Sequence, residues 1–283
     1  MAVKLVTDST AYIDQKTQKD LDIKIVHLSV HFPDESFDET MVPYDYFYQK
    51  IEKDKVIPTS SQPTLKEIYE VFKKIILRGE EVLGIFISAK MSGTYALALS
   101  AKQMLMEEYP KARIEILDSK NNCMALGIQV IEAAMAAKSG KKMLEVIAIA
   151  QNIMKRIRFY FVPASLEYLI KGGRIGGASA LIGSLLQIRP ILYVNDGMTD
   201  VLERVRSTRK AIDRMLKLLN DDVKKHGLKH LVVHHINDDQ QGRALADKLG
   251  KLYNRDVPVL PIGPVIGLHV GPGTVGIVYS TDD

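Results

Sequence analysis

The sequence predicts a two-domain α/β protein: an N-terminal open, mainly parallel sheet flanked by helices, then a C-terminal α+β domain. Three observations predict it. A unit of strand, polar Ser/Thr/Asp loop and helix recurs through the first half. The second half carries a hairpin among helices. At 283 residues the chain is also longer than most single domains. The boundary is expected near residue 162, giving domains over 1–162 and 163–283.

Val3–Thr7 is a β-rich run that ends in Asp8-Ser9-Thr10, and Ile23–Phe32 reads as a second extended segment. The polar loop Pro58-Thr-Ser60-Ser61-Gln62-Pro63 leads into a helix. Thr64 followed by Glu67 is a capping-box spacing; Ile68, Phe72 and Ile75/Ile76 fall on one helical face, and Gly79 closes it. Val82–Ile87 is a buried strand, then Ser88 to Tyr95 turns into a helix reaching about Tyr109. Arg113–Leu117 is another strand, ending in Asp118-Ser119 before the helix that holds Cys123. In such sheets ligands bind beyond the carboxyl ends of the strands. Three of those ends carry hydroxyls or carboxylates: Asp8 to Thr10, Ser88 to Ser92, and Asp118-Ser119.

Past strand Phe159–Val162 come short helical pieces and the glycine-rich stretch Lys171 to Gly177. Pro190–Asn195 and Met198–Arg206 flank Asp196-Gly197, a hairpin turn signal. A helix over Thr208–His226, a strand over His230–His235, another helix and a final strand pair follow.

Composition narrows the function classes. A net charge of +4, with 34 acidic residues set among the basic ones and no Trp, is a poor footprint for nucleic acid. The N-terminus lacks a signal-peptide core, and no apolar run approaches the ~20 residues a membrane span needs. The expectation is a soluble, cytoplasmic protein. Cys123 is the only cysteine, read as a small buried hydrophobe. His234 and His235 are neighbours on a strand and point to opposite faces, so no metal site is expected.

Ser92-Gly93-Thr94-Tyr95 sits at a strand-to-helix turn, where free N–H groups and a partial positive charge suit an anion. A plain serine N-cap is the competing reading. Ser92 as a nucleophile lacks a Gly-x-Ser-x-Gly elbow, although His269 is available as a base. Ser60-Ser61-Gln62 is a hydroxyl-dense loop held between prolines. Gly173-Arg174-Ile-Gly-Gly lacks a Walker pattern. Arg204, Arg206, Arg209 and Lys210 form a basic cluster, either solvated surface or a contact for phosphate or an acidic partner. His269 lies among Gly267, Gly271, Pro272 and Gly273, an unusual backbone setting for a histidine.

Together these segments resemble the DegV family, the bacterial fatty-acid-binding subunits of fatty acid kinase. The resemblance runs almost end to end, through Thr7-Asp8-Ser9-Thr10, Thr59 to Thr64, Ser92 to Tyr95, Asp118-Ser119-Lys120, Leu166 to Ile175, Arg189 to Leu192, and His269 to Gly273. It implies a DegV-like fold with one long-chain fatty acid buried between two domains, the ligand being the only bound group and no cofactor being needed. Ser60, Ser92 and His269 match the family's carboxylate-binding positions. Ser60 departs from the family's threonine, which leaves its hydroxyl less fixed in rotamer. Arg174, Arg206 and His269 match positions tied to phosphotransfer or partner docking. A separate ATP-dependent kinase would make the acyl phosphate, so the chain itself would be a carrier and no enzyme. Transient contact with a membrane surface is compatible with that role. Segments 180–186 and Val265-Ile266 are candidate tunnel lining. Two alternatives stay open: a Ser92/His269 hydrolase of acyl esters, and a binding protein for another small carboxylate or phosphate.

Overall fold

The computed structural model describes residues 2–181 and 189–282. In chain order the first elements are β1 (Val3–Asp8), a 3-10 turn (Ser9–Ala11), α1 (Gln15–Leu21), β2 (Lys24–Val26), β3 (Ser29–His31), β4 (Ser36–Asp38), α2 (Tyr44–Asp54) and β5 (Thr59–Ser61). Next come α3 (Leu65–Ile76), β6 (Glu81–Phe86), α4 (Thr94–Glu108), β7 (Ile114–Asp118), α5 (Cys123–Lys138) and α6 (Met143–Arg156). After these follow β8 (Ile157–Val162), α7 (Glu167–Lys171), a 3-10 stretch (Gly176–Leu181), β9 (Arg189–Asn195) and β10 (Met198–Val205). The last are α8 (Thr208–His226), β11 (His230–Ile236), α9 (Asp239–Tyr253), β12 (Val259–Pro261), α10 (Pro264–Val270) and β13 (Thr274–Ser280).

The chain divides into two compact units. Unit 1 comprises Met1–Ser29, Asp38–Thr40 and Ser60–Lys155; unit 2 comprises Val30–Phe37, Met41–Thr59 and Arg156–Asp283. A single cut near residue 162 therefore leaves out segments 30–37 and 41–59, which go with the C-terminal unit. The chain changes unit within each strand of a small sheet of order β4-β3-β5, and again at 40/41 and 155/156.

Unit 1 is built on a parallel sheet of order β2-β1-β6-β7. Val6, Val82, Phe86, Ile114 and Ile116 alternate onto one face and pack with Ile68, Phe72 and Ile75 of α3 and Ala98, Ala101 and Leu105 of α4. The chain leaves β1 for β2 on one side and later takes up β6 on the other. The crevice beyond the β1 and β6 carboxyl ends is thus a topological switch point.

Ile23–Phe32, expected as one extended run, breaks at His27-Leu28. Their N–H groups are taken by side chains: His27 N–H donates to Glu67 Oε1 at 2.9 Å and Leu28 N–H to Ser9 Oγ at 3.0 Å. A donor spent this way cannot join a sheet ladder.

Unit 2 carries a mostly antiparallel sheet of order β10-β9-β8-β13-β11-β12, with only β11 and β12 parallel. Asp196 and Gly197 both have positive φ (43° and 83°) and close the β9–β10 hairpin with Asn195 opposite Met198, as the Asp-Gly signal predicts. Ala211, Met215 and Leu219 of α8 and Leu245, Ala246 and Leu249 of α9 pack on Leu231, Val233, Val275, Ile277 and Tyr279. The expected final strand pair is not a pair, because β13 lies between β8 and β11. The glycine-rich run around His269 includes a short helix, α10, started by Pro264 at its first turn and ended at Gly271 (φ 93°).

Candidate functional site

The switch point of unit 1 is filled from below by Asp8. Its carboxylate accepts Ile87 N–H at 2.7 Å, Thr10 N–H at 3.1 Å and the Thr10 hydroxyl at 2.5 Å. One fully buried side chain thus joins the ends of β1 and β6. Burial pushes its carboxyl above the usual carboxylate range even against those donors. Beside it, the Ser9 hydroxyl donates to buried Glu39 at 2.5 Å.

Beyond β6 the chain makes a tight turn in which Met91 N–H and Ser92 N–H both donate to Ser88 O, at 2.9 and 3.1 Å. Asp118 Oδ1 fixes this turn against the next loop by accepting Ala89 N–H (3.2 Å) and Lys120 N–H (2.8 Å). The result presents Ser92 at the start of α4. Gly93, not Ser92, is the N-cap, and it offers no side-chain hydrogen bond. Ser92 Oγ instead shares a 2.9 Å hydrogen bond with Thr94 Oγ1 and accepts Thr94 N–H at 3.3 Å. Within unit 1 the Ser92 hydroxyl is thus engaged by Thr94.

The Ser60 loop meets this turn. Ser60 and Ser61 lie on β5, and the Gln62 amide stands where a Cβ on Gly93 would fall. Only glycine at 93 permits that approach. Thr64 Oγ1 caps α3 by accepting Glu67 N–H at 3.1 Å, as its spacing predicts. The return half of the box differs: the Glu67 carboxylate goes to His27. Unit 1 therefore carries two hydroxyl loops, one at the amino end of α3 and one at that of α4.

Within unit 2, His269 sits in the last turn of α10 with its Nδ1 at the place a Cβ on Gly172 would take. Gly271 approaches the Tyr168 ring and Gly267 the Tyr48 hydroxyl in the same manner. The glycines around His269 thus let α10 lie directly on α7 and α2. Burial, helped by the Arg174 charge, lowers the His269 pKa to about 4, so the ring is neutral at pH 7 and can donate or accept one hydrogen bond without charge. Arg174 is exposed and donates to Gly172 O at 2.7 Å. Arg206 is exposed just past β10, beside exposed Arg204, Arg209 and Lys210.

Val265 and Ile266 are buried in α10. Of the other candidate lining segment, 180–186, residues 182–186 lie outside the described residues. Cys123 is buried, with its thiol pKa raised by burial. His234 donates from Nδ1 to Leu260 O at 2.9 Å, whereas His235 Nδ1 accepts Asp238 N–H. Among the described residues no three His, Cys, Asp or Glu side chains come together to hold a metal, and no helix is long and apolar enough to cross a membrane. Asp8, Glu39, Gln62 and the His27–Glu67 pair had no sequence signal for these roles, except that Asp8 and Gln62 stand in the polar loops.

Fold and site together describe a two-unit α/β protein whose parallel-sheet unit brings the Gln62 and Gly93 loops together at the starts of α3 and α4. The family model described as "Uncharacterised protein, DegV family" matches residues 2–282. A DegV domain-containing protein of Clostridium acetobutylicum is 46% identical over 282 residues, covering 100% of this chain and 99% of its own. The chain belongs to the DegV family. Its structure is similar to that of a DegV family protein from Thermus thermophilus described as fatty acid binding (TM-score 0.90, 28% identity, 99% of this chain and 100% of that one). It is also similar to DegV of Bacillus subtilis, described as a fatty acid binding protein (TM-score 0.89, 31% identity, 99% of each chain).

Proposed function

We propose that this protein binds one long-chain fatty acid, with the carboxylate on the Ser60 and Ser92 hydroxyls, and presents it to a separate ATP-dependent kinase. The observation that carries this is the meeting of the two hydroxyl loops at Gln62 and Gly93, where the N-cap of α4 is a glycine with no side chain of its own. Hydroxyl donors and the N–H groups of a helix start suit a carboxylate, which must be hydrogen-bonded to leave water. The fatty-acid binding described for the Thermus and Bacillus relatives supports the choice of ligand. An acyl chain contributes about 0.8 kcal/mol per buried methylene, so on the order of ten methylenes hold the lipid through purification.

The chain makes and breaks no bond in this reading. His269, being neutral, contributes a hydrogen bond to the head group. Arg174 and Arg206 are permanent charges, suited to the phosphorylated product or to an acidic partner surface. The site of action is the cytoplasm, with transient contact at membrane surfaces where fatty acids reside.

The test compares lipid occupancy with kinase-dependent acyl-phosphate formation. Arg174→Ala and Arg206→Ala should keep the lipid and lose the rate. Loss of lipid would make the arginines primary carboxylate ligands; unchanged lipid and rate would leave them as solvated surface.

A further inference from the structure

We propose that the His27–Glu67 pair is a positioning clamp for the Ser60 loop, closed while the imidazole carries its proton, so that carboxylate affinity weakens as His27 loses it. This rests on the reading of Ser60 as a carboxylate ligand.

Glu67 lies in the first turn of α3, three residues after the Thr64 cap. In a reciprocal capping box its carboxylate would return to the N-cap N–H. Here Oε1 accepts the backbone N–H of His27 at 2.9 Å and stands 3.3 Å from His27 Nδ1. One carboxylate oxygen thus grips both the main chain and the ring of the residue that interrupts β2 and β3.

One side of this contact leads to the Ser60 loop and the other to the Ser9–Glu39 pair at the β1 end. From Glu67 the chain runs back through Thr64 and buried Pro63 to Gln62, whose amide covers Gly93, and so to Ser60. From His27 it runs on to Leu28, whose N–H is held by Ser9 Oγ and whose carbonyl takes Glu39 N–H at 3.0 Å. Ser9 in turn donates to Glu39 beside the β1 end. The pair therefore ties the switch-point network to the helix that carries the Ser60 loop.

The charges facing His27 are Glu67 from α3, Asp38 at the end of β4 and Glu39 just beyond it. All are acidic. The Glu67 hydrogen bond raises the His27 pKa, burial opposes it, and the other acids add to the rise. A folded pKa above the ordinary 6.5 means the clamp is complete below that pH and is lost as pH climbs through the raised value. The two side chains are 36% and 33% exposed, so water screens the pair and the effect is about two- to fivefold in affinity.

The experiment is calorimetric titration of the delipidated full chain with decanoate from pH 6 to 8.5, for wild type, His27→Gln and Glu67→Gln. Wild-type affinity is expected to fall about two- to fivefold across this range, while both variants stay flat. Parallel profiles in wild type and His27→Gln would overturn the clamp. A slope kept in Glu67→Gln would also overturn it, by showing a through-space charge effect. Should His27→Gln not fold, the comparison with Glu67→Gln decides alone. Absence of decanoate binding at every pH takes down the fatty-acid reading itself, and is distinguishable from binding without pH dependence, which takes down only the clamp.

Discussion

His234 is wholly buried on β11, and burial lowers its pKa to about 4. A depressed histidine favours the neutral folded form, so its contribution is complete above pH 6.5 and is lost as pH falls toward 4. A shift of that size corresponds to about 3 kcal/mol. Urea unfolding between pH 7 and 4 should show stability falling on the acid side, and His234→Phe should flatten that slope; an unchanged slope contradicts the assignment. At the start of α4, Gly93 has ordinary φ (−76°), so Gly93→Ala strains no backbone and displaces only the exposed, flexible Gln62 amide. Stability should stay within about 0.5 kcal/mol while fatty-acid affinity drops, read by denaturation and titration on one sample. Ser60→Ala with Ser92→Ala should weaken binding tens-fold or more, at roughly 1.5–3 kcal/mol per hydrogen bond to a charged group. Undiminished affinity in that double variant would place the carboxylate elsewhere. The hydroxyl loops that carry both serines were legible, because their polar residues stand between periodic segments; the carboxylate role given to Ser60 and Ser92 comes from the family resemblance and is what this variant tests. The place of Gln62 was not legible, since nothing local says which backbone its amide will cover.

Among elements, β1 and β6 are joined at their carboxyl ends by the buried Asp8 side chain. Asp8→Ala leaves buried Ile87 and Thr10 donors unsatisfied, each costing about 1–3 kcal/mol. A loss of about 2–4 kcal/mol in chemical denaturation is expected, and a loss below 1 would show that water replaces the carboxylate. The β-rich runs of the parallel sheet and the helix capped at Thr64 were legible, because period and cap chemistry are local. The break at His27-Leu28 was not: it is made by Glu67 and Ser9, distant in sequence. Helix α10 was hidden behind glycines that read as loop but serve close helix approach. The short strands β4 and β5 carry no period long enough to register.

For the whole molecule, the sequence pointed to an α/β domain followed by an α+β domain but not to the passage of 30–37 and 41–59 into the C-terminal unit, which depends on contacts far along the chain. The family, by contrast, was written in motifs spread over almost its full length and matches over residues 2–282. What the family membership leaves to experiment is the ligand this chain holds. Native mass spectrometry of the freshly purified protein measures that most directly. One long-chain fatty acid per chain, released on denaturation and absent from the Ser60→Ala/Ser92→Ala variant after the same purification, is the predicted result. A native mass equal to the bare polypeptide, with no acyl species extracted and none taken up on addition of fatty acid, would contradict it.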